Sequence, residues 1–520
     1  MTSQDDSCRK HFEDSRARFE GIVARLRSEE TSRMSHRELE DLLHADGMEL
    51  LRQLLQDHLD LRADRELRLD SVVGSDGETR RHHRAETSRA MMTVFGPVRP
   101  RGRAYEGRGL SALRPADAAL NLPKERYSHG LQRRLSVEVS KNSFDDAVES
   151  IDTTTGGHVP KRQAEAVAQR AAVDFEAFYE QREGHVPSDE ASVLVTTFDG
   201  KGVVVRHEDL RPATRKKAEN TARKLNKRLS PGEKEHRKRM ACVAAVYTTA
   251  PHVRTPEDIV GDAKPALVTE KPRRPQPEGK RVWASLRKPP EAVIAAAFSE
   301  AEARDPEHKL DWVTLVDGNE NQIRLAEAFA ELSGQPVTIV VDLIHVSAYL
   351  WKAAIALNGG STPQAEEWMQ ARLLRILGGN ASLVAAGMRR SATKRGLPAA
   401  TRKPVDTCAN YLLKYKRFLQ YDKYLSAGFP IATGVIEGVC RHLVKDRMDV
   451  PGQWSLDGAE AVLRLRALRC SGDFDEYWLH HENAELQRNH VGRYASSEVP
   501  DPWPSLSLNG HRQGILRIAG

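Results

Sequence analysis

The sequence predicts an α/β core built on a mixed sheet, carrying a helical insertion and preceded by a mainly helical N-terminal region. Three observations predict it. From Ser192 onward, short apolar runs alternate with helical periodicity in the order β-β-β-α-β-α-β-α. The stretch 363–425 is helical in pattern throughout. Within MSHRELEDLLHADGMELLRQLLQDHLDLRAD, upstream of residue 70, Leu recurs at spacings of three and four. At 520 residues the chain is too long for one ordinary core, so about two to four domains are expected.

Bulk properties narrow the class. Charged residues make up 29% and hydrophobic ones 39%, with a mean hydropathy of −0.56, which describes a soluble protein. No run of about 18 apolar residues predicts a membrane span, and the polar N-terminus lacks an apolar signal region. The net charge of +6 suits a nucleic-acid partner without excluding others. The five cysteines lie far apart, so there is no CxxC pair for zinc. Scattered single cysteines point to reduced thiols in a cytoplasmic compartment; Cys242 and Cys440 sit in apolar runs and read as core.

Residues 1–90 read as a helical segment for packing or dimerisation, with Ser35 and Glu38 spaced as a capping box. Residues 91–185 form a second region. MTVFGPVRPRGRAY is β-leaning and rich in Arg, and a loop follows it. Helices are then predicted over Leu131–Val139, Phe144–Ile151 and Lys161–Tyr179. Ser143 caps the second, the TTTGG of 153–157 breaks it, and Pro160 suits the first turn of the third. Three short helices with a glycine break suit a helix-turn-helix, with Lys161, Arg162 and Gln163 at the start of its recognition helix. Any small helical bundle gives the same pattern.

The core is expected over 190–345. SVLVTTFDGKGVVV reads as a strand, an Asp-Gly turn and a second strand. Residues 206–240 hold thirteen Lys or Arg against five Asp or Glu. This run, including Arg215, Lys216, Lys217, Arg223 and Lys224, is either a phosphate-contacting surface or a solvated charged loop. ACVAAVYTTA (241–250) is a third strand. Eight prolines in 251–290 predict an extended linker. Helix Glu291–Ala303, strand Trp312–Val316, helix Asn321–Leu332, strand Val337–Val341 and helix His345–Leu357 follow. A helical insertion occupies 346–430, helices around 434–448 and 457–488 fill 431–490, and 491–520 is a tail. This element order is that of the ribonuclease H-like fold.

That fold places acids at the ends of its first and fourth strands, which are neighbours, and on its last helix. Asp199 and Asp317 each close an apolar run and precede a glycine. Two carboxylates meeting there suit Mg²⁺ or Mn²⁺, and two such ions can serve both the attacking and the leaving oxygen of a phosphodiester. Glu437, inside the apolar run ATGVIEGVC and followed by Arg441 and His442, is the third candidate; burial would demand a partner for it. Each acid has a plainer reading: Asp199 a hairpin turn, Asp317 a helix N-cap, Glu437 an ion-pair partner of Arg441. Only their order within one α/β unit joins them. Asp342 also ends an apolar strand and competes with Asp317.

The segments TFDGKGV, GEKEHRKRMACVAAVYT, TLVDGNENQIRLAEA, VVDLIHVSAYLWKAA, GVIEGVCRHLVKDRM and GAEAVLRLRALRCSGDFDEYW resemble the blocks of ISKra-type bacterial insertion-sequence transposases, in the expected order across about residues 91–480. FGPVRPRGRAY and ALNLPKERYS upstream fit the same family. The resemblance implies a DDE transposase with a ribonuclease H-like catalytic core, a mainly helical N-terminal DNA-binding region and a helical insertion before the last acid. The acids would be Asp199, Asp317 and Glu437, holding two Mg²⁺ or Mn²⁺ ions. An Asp/Cys-x-x-His element of the family is matched by Asp342 and His345 in a supporting role. Related transposases often carry an N-terminal zinc site, which this chain cannot build in the usual way. Double-stranded DNA, as element ends and target, and a second copy of the chain are the expected partners. A ribonuclease H-like nuclease or resolvase, or a domesticated non-catalytic DNA-binding protein, are the alternatives.

Overall fold

A computed structural model describes residues 11–220, 230–261, 274–449 and 452–503. The chain divides into two compact units, residues 1–180 with 475–520, and residues 181–474.

The first unit opens on helices α1 (Glu13–Leu26) and α2 (His36–Arg65). The Ser35 hydroxyl accepts from the Glu38 backbone while the Glu38 carboxylate accepts from the Ser35 N–H at 2.7 Å, so the capping box forms. The helical reading of 1–90 fails beyond α2. Strands β1 (Val72–Val73), β2 (Thr79–Arg80) and β3 (His82–Ser88) occupy its last part, because β3 pairs antiparallel with the distant β6 (Arg101–Glu106). Between them β4 (Met91–Thr93) and β5 (Gly96–Val98) form a hairpin.

After the one-turn α3 (Pro115–Ala119) come α4 (His129–Lys141), α5 (Phe144–Thr154) and α6 (Lys161–Ala171). They pack together through buried Leu131, Leu135, Ile151, Ala164 and Val167. Ser143 caps α5 as expected. The third predicted helix is broken at residues 172–174, and α7 (Phe175–Gln181) follows. Gly156 does more than end a helix. Its N–H donates to the Val94 carbonyl at 2.8 Å, and any Cβ there would collide with the Phe95 carbonyl.

The second unit holds a five-stranded mixed sheet. Strands β7 (Val193–Val204), β8 (Lys238–Thr249) and β9 (Glu278–Ser285) are antiparallel neighbours, while β10 (Asp311–Val316) runs parallel to β7 and β11 (Val337–Val341) parallel to β10. The order across the sheet is β11-β10-β7-β8-β9. First and fourth strands are therefore adjacent.

Two sequence expectations are corrected here. No turn forms at Asp199-Gly200: β7 runs through both, with Asp199 opposite Val243 and Gly200 opposite Cys242. Twelve residues of continuous pairing outweigh the local turn preference of an Asp-Gly pair. Gly202 serves the ladder, since a Cβ there would come within 2.9 Å of the Lys238 side chain. The third strand of the antiparallel set is β9, which lies inside the supposed proline-rich linker, so the strand count survives with different members.

The connections include α8 (Pro212–Glu219), α9 (Pro290–Arg304) and α10 (Glu320–Ser333). The helical insertion comprises α11 (Leu343–Asn358), α12 (Pro363–Leu377), α13 (Ala381–Lys394), α14 (Ala399–Lys414) and α15 (Tyr421–Ser426). Then α16 (Gly434–Val439) packs on β7 and β8, and α17 (Leu456–Ser471) on β9. The expected helix 457–488 is in fact two, divided at Gly472 with φ +84°. Val193–Phe198 are all buried, the pattern of a strand covered on both faces. Phe298 of α9 stacks near Phe198, Trp312 and Phe329 on one of them. Among the described residues no helix is long and apolar enough to cross a membrane.

Candidate active site

The strand register brings three aspartates into one row. Leu315 lies opposite Thr197 on one side and opposite Val340 on the other. Two residues further along each chain stand Asp199, Asp317 and Asp342, level with one another across β7, β10 and β11. Strands lie about 4.8 Å apart, so Asp317 is one spacing from each of the others, and Asp199 and Asp342 are two spacings apart. The row lies where β10 and β11 end, the edge at which open α/β sheets place ligands. Asp199 is the exception, since its strand continues past it.

Asp199 faces away from α9. Phe198 packs toward Phe298, and alternation along a strand sends the next side chain to the opposite face. There the Cys440 thiol, just beyond α16, donates to Asp199 Oδ2 at 3.0 Å, while the Gly200 N–H donates to Oδ1 at 2.6 Å. Burial, and then the negative charge of Asp199, push the Cys440 thiol well above its ordinary range, so it stays protonated and able to donate.

Asp317 is not a helix cap. Asn319 caps α10, and Asp317 Oδ1 accepts from the Asn319 N–H at 2.9 Å. The turn that carries it is held by the helical insertion. Tyr411 and Tyr415 of α14 and its C-terminal edge donate their hydroxyls to the Asp317 and Gly318 carbonyls at 3.2 and 2.6 Å. Gly318 sits at φ +90°, and a Cβ there would stand 2.8 Å from the Tyr411 hydroxyl.

The capping role falls to Asp342, which is fully buried at the start of α11. It accepts four hydrogen bonds: from Ile344 N–H at 3.0 Å, Thr433 N–H at 3.1 Å, Thr433 Oγ1 at 2.7 Å and His345 Nδ1 at 3.0 Å. Burial raises this carboxyl, but those bonds outweigh it and hold Asp342 below its ordinary value. Thr433 immediately precedes α16, and the Glu437 N–H donates to its carbonyl at 3.0 Å. Asp342 thereby anchors the helix that carries Glu437. Sequence reading missed Thr433; its place just before GVIEG was the available signal.

Glu437 is exposed, contrary to the burial its apolar neighbours suggested. Partial desolvation raises its carboxyl, followed by the negative charge of Asp342; His345 offsets this in part, and Asp199 adds to it. Arg441 does not pair with it: Arg441 lies 3.9 Å from Asp446. The reason is a change of helix type. Cys440–Lys445 is π-helical, which shifts the side-chain register and frees carbonyls. Arg466 of α17 donates to the carbonyls of Leu443, at 2.7 Å, and His442.

His345 is held above its ordinary value, chiefly by its bond to Asp342 and further by the charges of Asp342, Asp317 and Asp199. The signs give a pH window. A raised His contributes stability that is complete below its unfolded value, about 6.5, and is lost as pH rises through the folded one. The lowered Asp342 contributes stability above its unfolded value, about 4, that is lost as pH falls through the folded one. Thermal melts of the wild type should therefore lose more as pH rises above about 6.5 than those of His345→Gln; parallel curves would refute the coupling.

The candidate DNA contacts fall in both units. Lys161, Arg162 and Gln163 are exposed at the start of α6, with Lys161 ion-paired to Asp145 at 2.5 Å. Lys216 and Lys217 are exposed on α8. Arg215 instead donates to the carbonyls of Glu208 at 2.5 Å and Leu210 at 3.3 Å, closing the turn before that helix. Arg223 and Lys224 lie outside the described residues.

Carboxylate oxygens are the donors Mg²⁺ and Mn²⁺ take, and Asp199, Asp317 and Glu437 fit these ions in kind. Among the described residues no three His, Cys, Asp or Glu side chains are gathered as a ready-made ion cage, and Asp199 Oδ2 is engaged by Cys440. Ion binding would require that thiol bond to open. No protein-family model matches the chain, and no curated protein matches it.

Proposed function

We propose that the chain is a DNA transposase of the DDE class, similar to the ISKra type, with a ribonuclease H-like core. One observation carries the reading: the register sets Asp199, Asp317 and Asp342 level across three adjacent strands, and Asp342 anchors the helix bearing Glu437. Asp199, Asp317 and Glu437 would hold Mg²⁺ or Mn²⁺, which when bound stabilises charge on the attacking and leaving oxygens. Asp317 is preferred to Asp342 because it lies one strand from Asp199 and because Asp342 already accepts four hydrogen bonds. His345, held above its ordinary value by its bond to Asp342, would hold a phosphate oxygen when protonated.

In the first step water attacks phosphorus at an element end, one P–O bond forms as another breaks, and the leaving 3′ oxygen takes a proton. In the second step that 3′-hydroxyl attacks a target phosphodiester and the target's own 3′ oxygen leaves. Synapsis of two ends calls for at least two copies of the chain. The test is cleavage of end-labelled DNA carrying the element ends. Cleavage is expected with Mg²⁺ or Mn²⁺, and binding with little cleavage in Ca²⁺. Cleavage that persists in a chelator would sink the reading.

Lys216 and Arg215 should behave differently. Lys216→Ala should weaken binding to all DNA alike and reduce the slope of log K against log salt by about 0.9. Arg215→Ala should mainly destabilise the segment around α8, because its guanidinium is tied to backbone carbonyls. Equal slopes for wild type and Lys216→Ala would leave α8 a solvated surface.

A further inference from the structure

The first unit contains a cleft of about 580 Å³ lined by Arg89, Arg114, Lys124 and Arg493, with Asp117 as their acid. The charges do not balance. Asp117 is shared between Arg89 at 3.8 Å and Arg114 at 3.9 Å. Among the described residues no carboxylate lies within ion-pair distance of Lys124 or Arg493. Arg488, also at the cleft, is neutralised by Glu485 and Asp174.

The way the guanidiniums are held matters as much as their number. Arg89 donates to the carbonyls of Lys124 and Glu125 at 3.3 and 3.2 Å. Arg493 donates to the Ala112 carbonyl at 2.8 Å and the Ser111 hydroxyl at 3.1 Å. Neutral acceptors fix the orientation of a cation without cancelling its charge. Bonds of this kind also serve the fold, as at Arg215, but they leave the positive charge uncancelled, and clustered like charges repel unless an anion joins them. Arg89 Nε is buried and faces Asp117 Oδ2 at 3.8 Å, so it holds that acid in the cleft wall. The guanidinium fork of Arg114 and the exposed ammonium of Lys124 match phosphate oxygens.

We propose that this cleft binds the phosphodiester backbone of duplex DNA, through residues none of which belongs to the row of acids and independently of divalent metal. The inference rests on the DNA-binding part of the reading above and adds a site to it. The test uses the full chain, a short labelled duplex and EDTA, with affinity followed over a salt series. Arg114→Ala combined with Lys124→Ala should weaken binding and lower the salt slope by about 1.8, at about 0.9 for each phosphate no longer neutralised. Lys124→Glu, a change at an exposed side chain, should lower it without disturbing the fold, as thermal melts will show.

Arg33→Ala, far out on the surface at 83% exposure, should leave the slope unchanged. A fall as large with Arg33→Ala, or an unchanged slope in both cleft variants, would overturn the proposal. A second arm titrates inorganic phosphate. Phosphate binding that the cleft variants abolish, with DNA slopes unchanged, would reassign the cleft to a small phosphate ligand and overturn the DNA contact. A wild type that binds duplex while the cleft variants match it removes the cleft alone. A wild type that binds no duplex removes the DNA reading as well.

Discussion

Asp199→Asn, Asp317→Asn and Glu437→Gln should each lower DNA cleavage and joining by at least about 10³-fold, the scale of several kcal/mol of lost charge stabilisation. Sequence-specific binding should survive in all three. The amide keeps the shape of the acid and removes the charge that would hold a cation. At Asp199 the amide also leaves one of two donors, the Cys440 thiol or the Gly200 N–H, facing an NH₂ that cannot accept. The fold should tolerate this, since the β7–β8 ladder through residue 199 is made by backbone. Loss of negative charge near phosphate should leave DNA affinity equal or slightly tighter. Any variant that keeps near-normal joining would drop that residue from the site.

The second large effect falls on stability. Asp342→Ala should destabilise the second unit by roughly 3–5 kcal/mol, because it strips a buried acceptor from four donors. That corresponds to a lowering of Tm on the order of 10 °C. Asp342→Asn should cost less, since the amide oxygen still accepts while the NH₂ faces donors that have no use for it. Cleavage by Asp342→Asn should fall, through a loosened α16, but by less than in Asp317→Asn. Thr433→Val should reproduce part of the stability loss, as it removes the 2.7 Å bond and keeps the backbone one. If Asp342→Asn instead cleaves less than Asp317→Asn, the cation-holding role passes from Asp317 to Asp342.

Elements whose signals are local were legible in the sequence. Val337–Val341 was bounded to the residue, and the Ser35 and Ser143 caps formed because each depends on groups three residues apart. Elements decided by distant pairing were not. The Asp-Gly pair at 199–200 carries a hairpin signal that only the length of the β7–β8 ladder overrides. The strand β9 lies among prolines, and its partner β8 is roughly thirty residues upstream.

In the candidate site, the pairing of Asp199 with Asp317 followed from strand order. The burial of Asp342, the exposure of Glu437 and the Thr433 anchor did not, since each depends on how the helical insertion returns to the sheet. Nothing local in the sequence marks Tyr411 and Tyr415, whose hydroxyls hold the turn after Asp317 from roughly ninety residues away.

The most direct measurement incubates the wild-type protein with Mg²⁺, DNA carrying the element's own ends and a separate target duplex, and separates the products by size. The account predicts free 3′-hydroxyl ends followed by end DNA covalently joined to target, with both products present in Mn²⁺ and scarce in Ca²⁺. Nicked ends that never join the target would contradict transposition and leave a nuclease. Tight binding with neither product would leave a DNA-binding protein without chemistry.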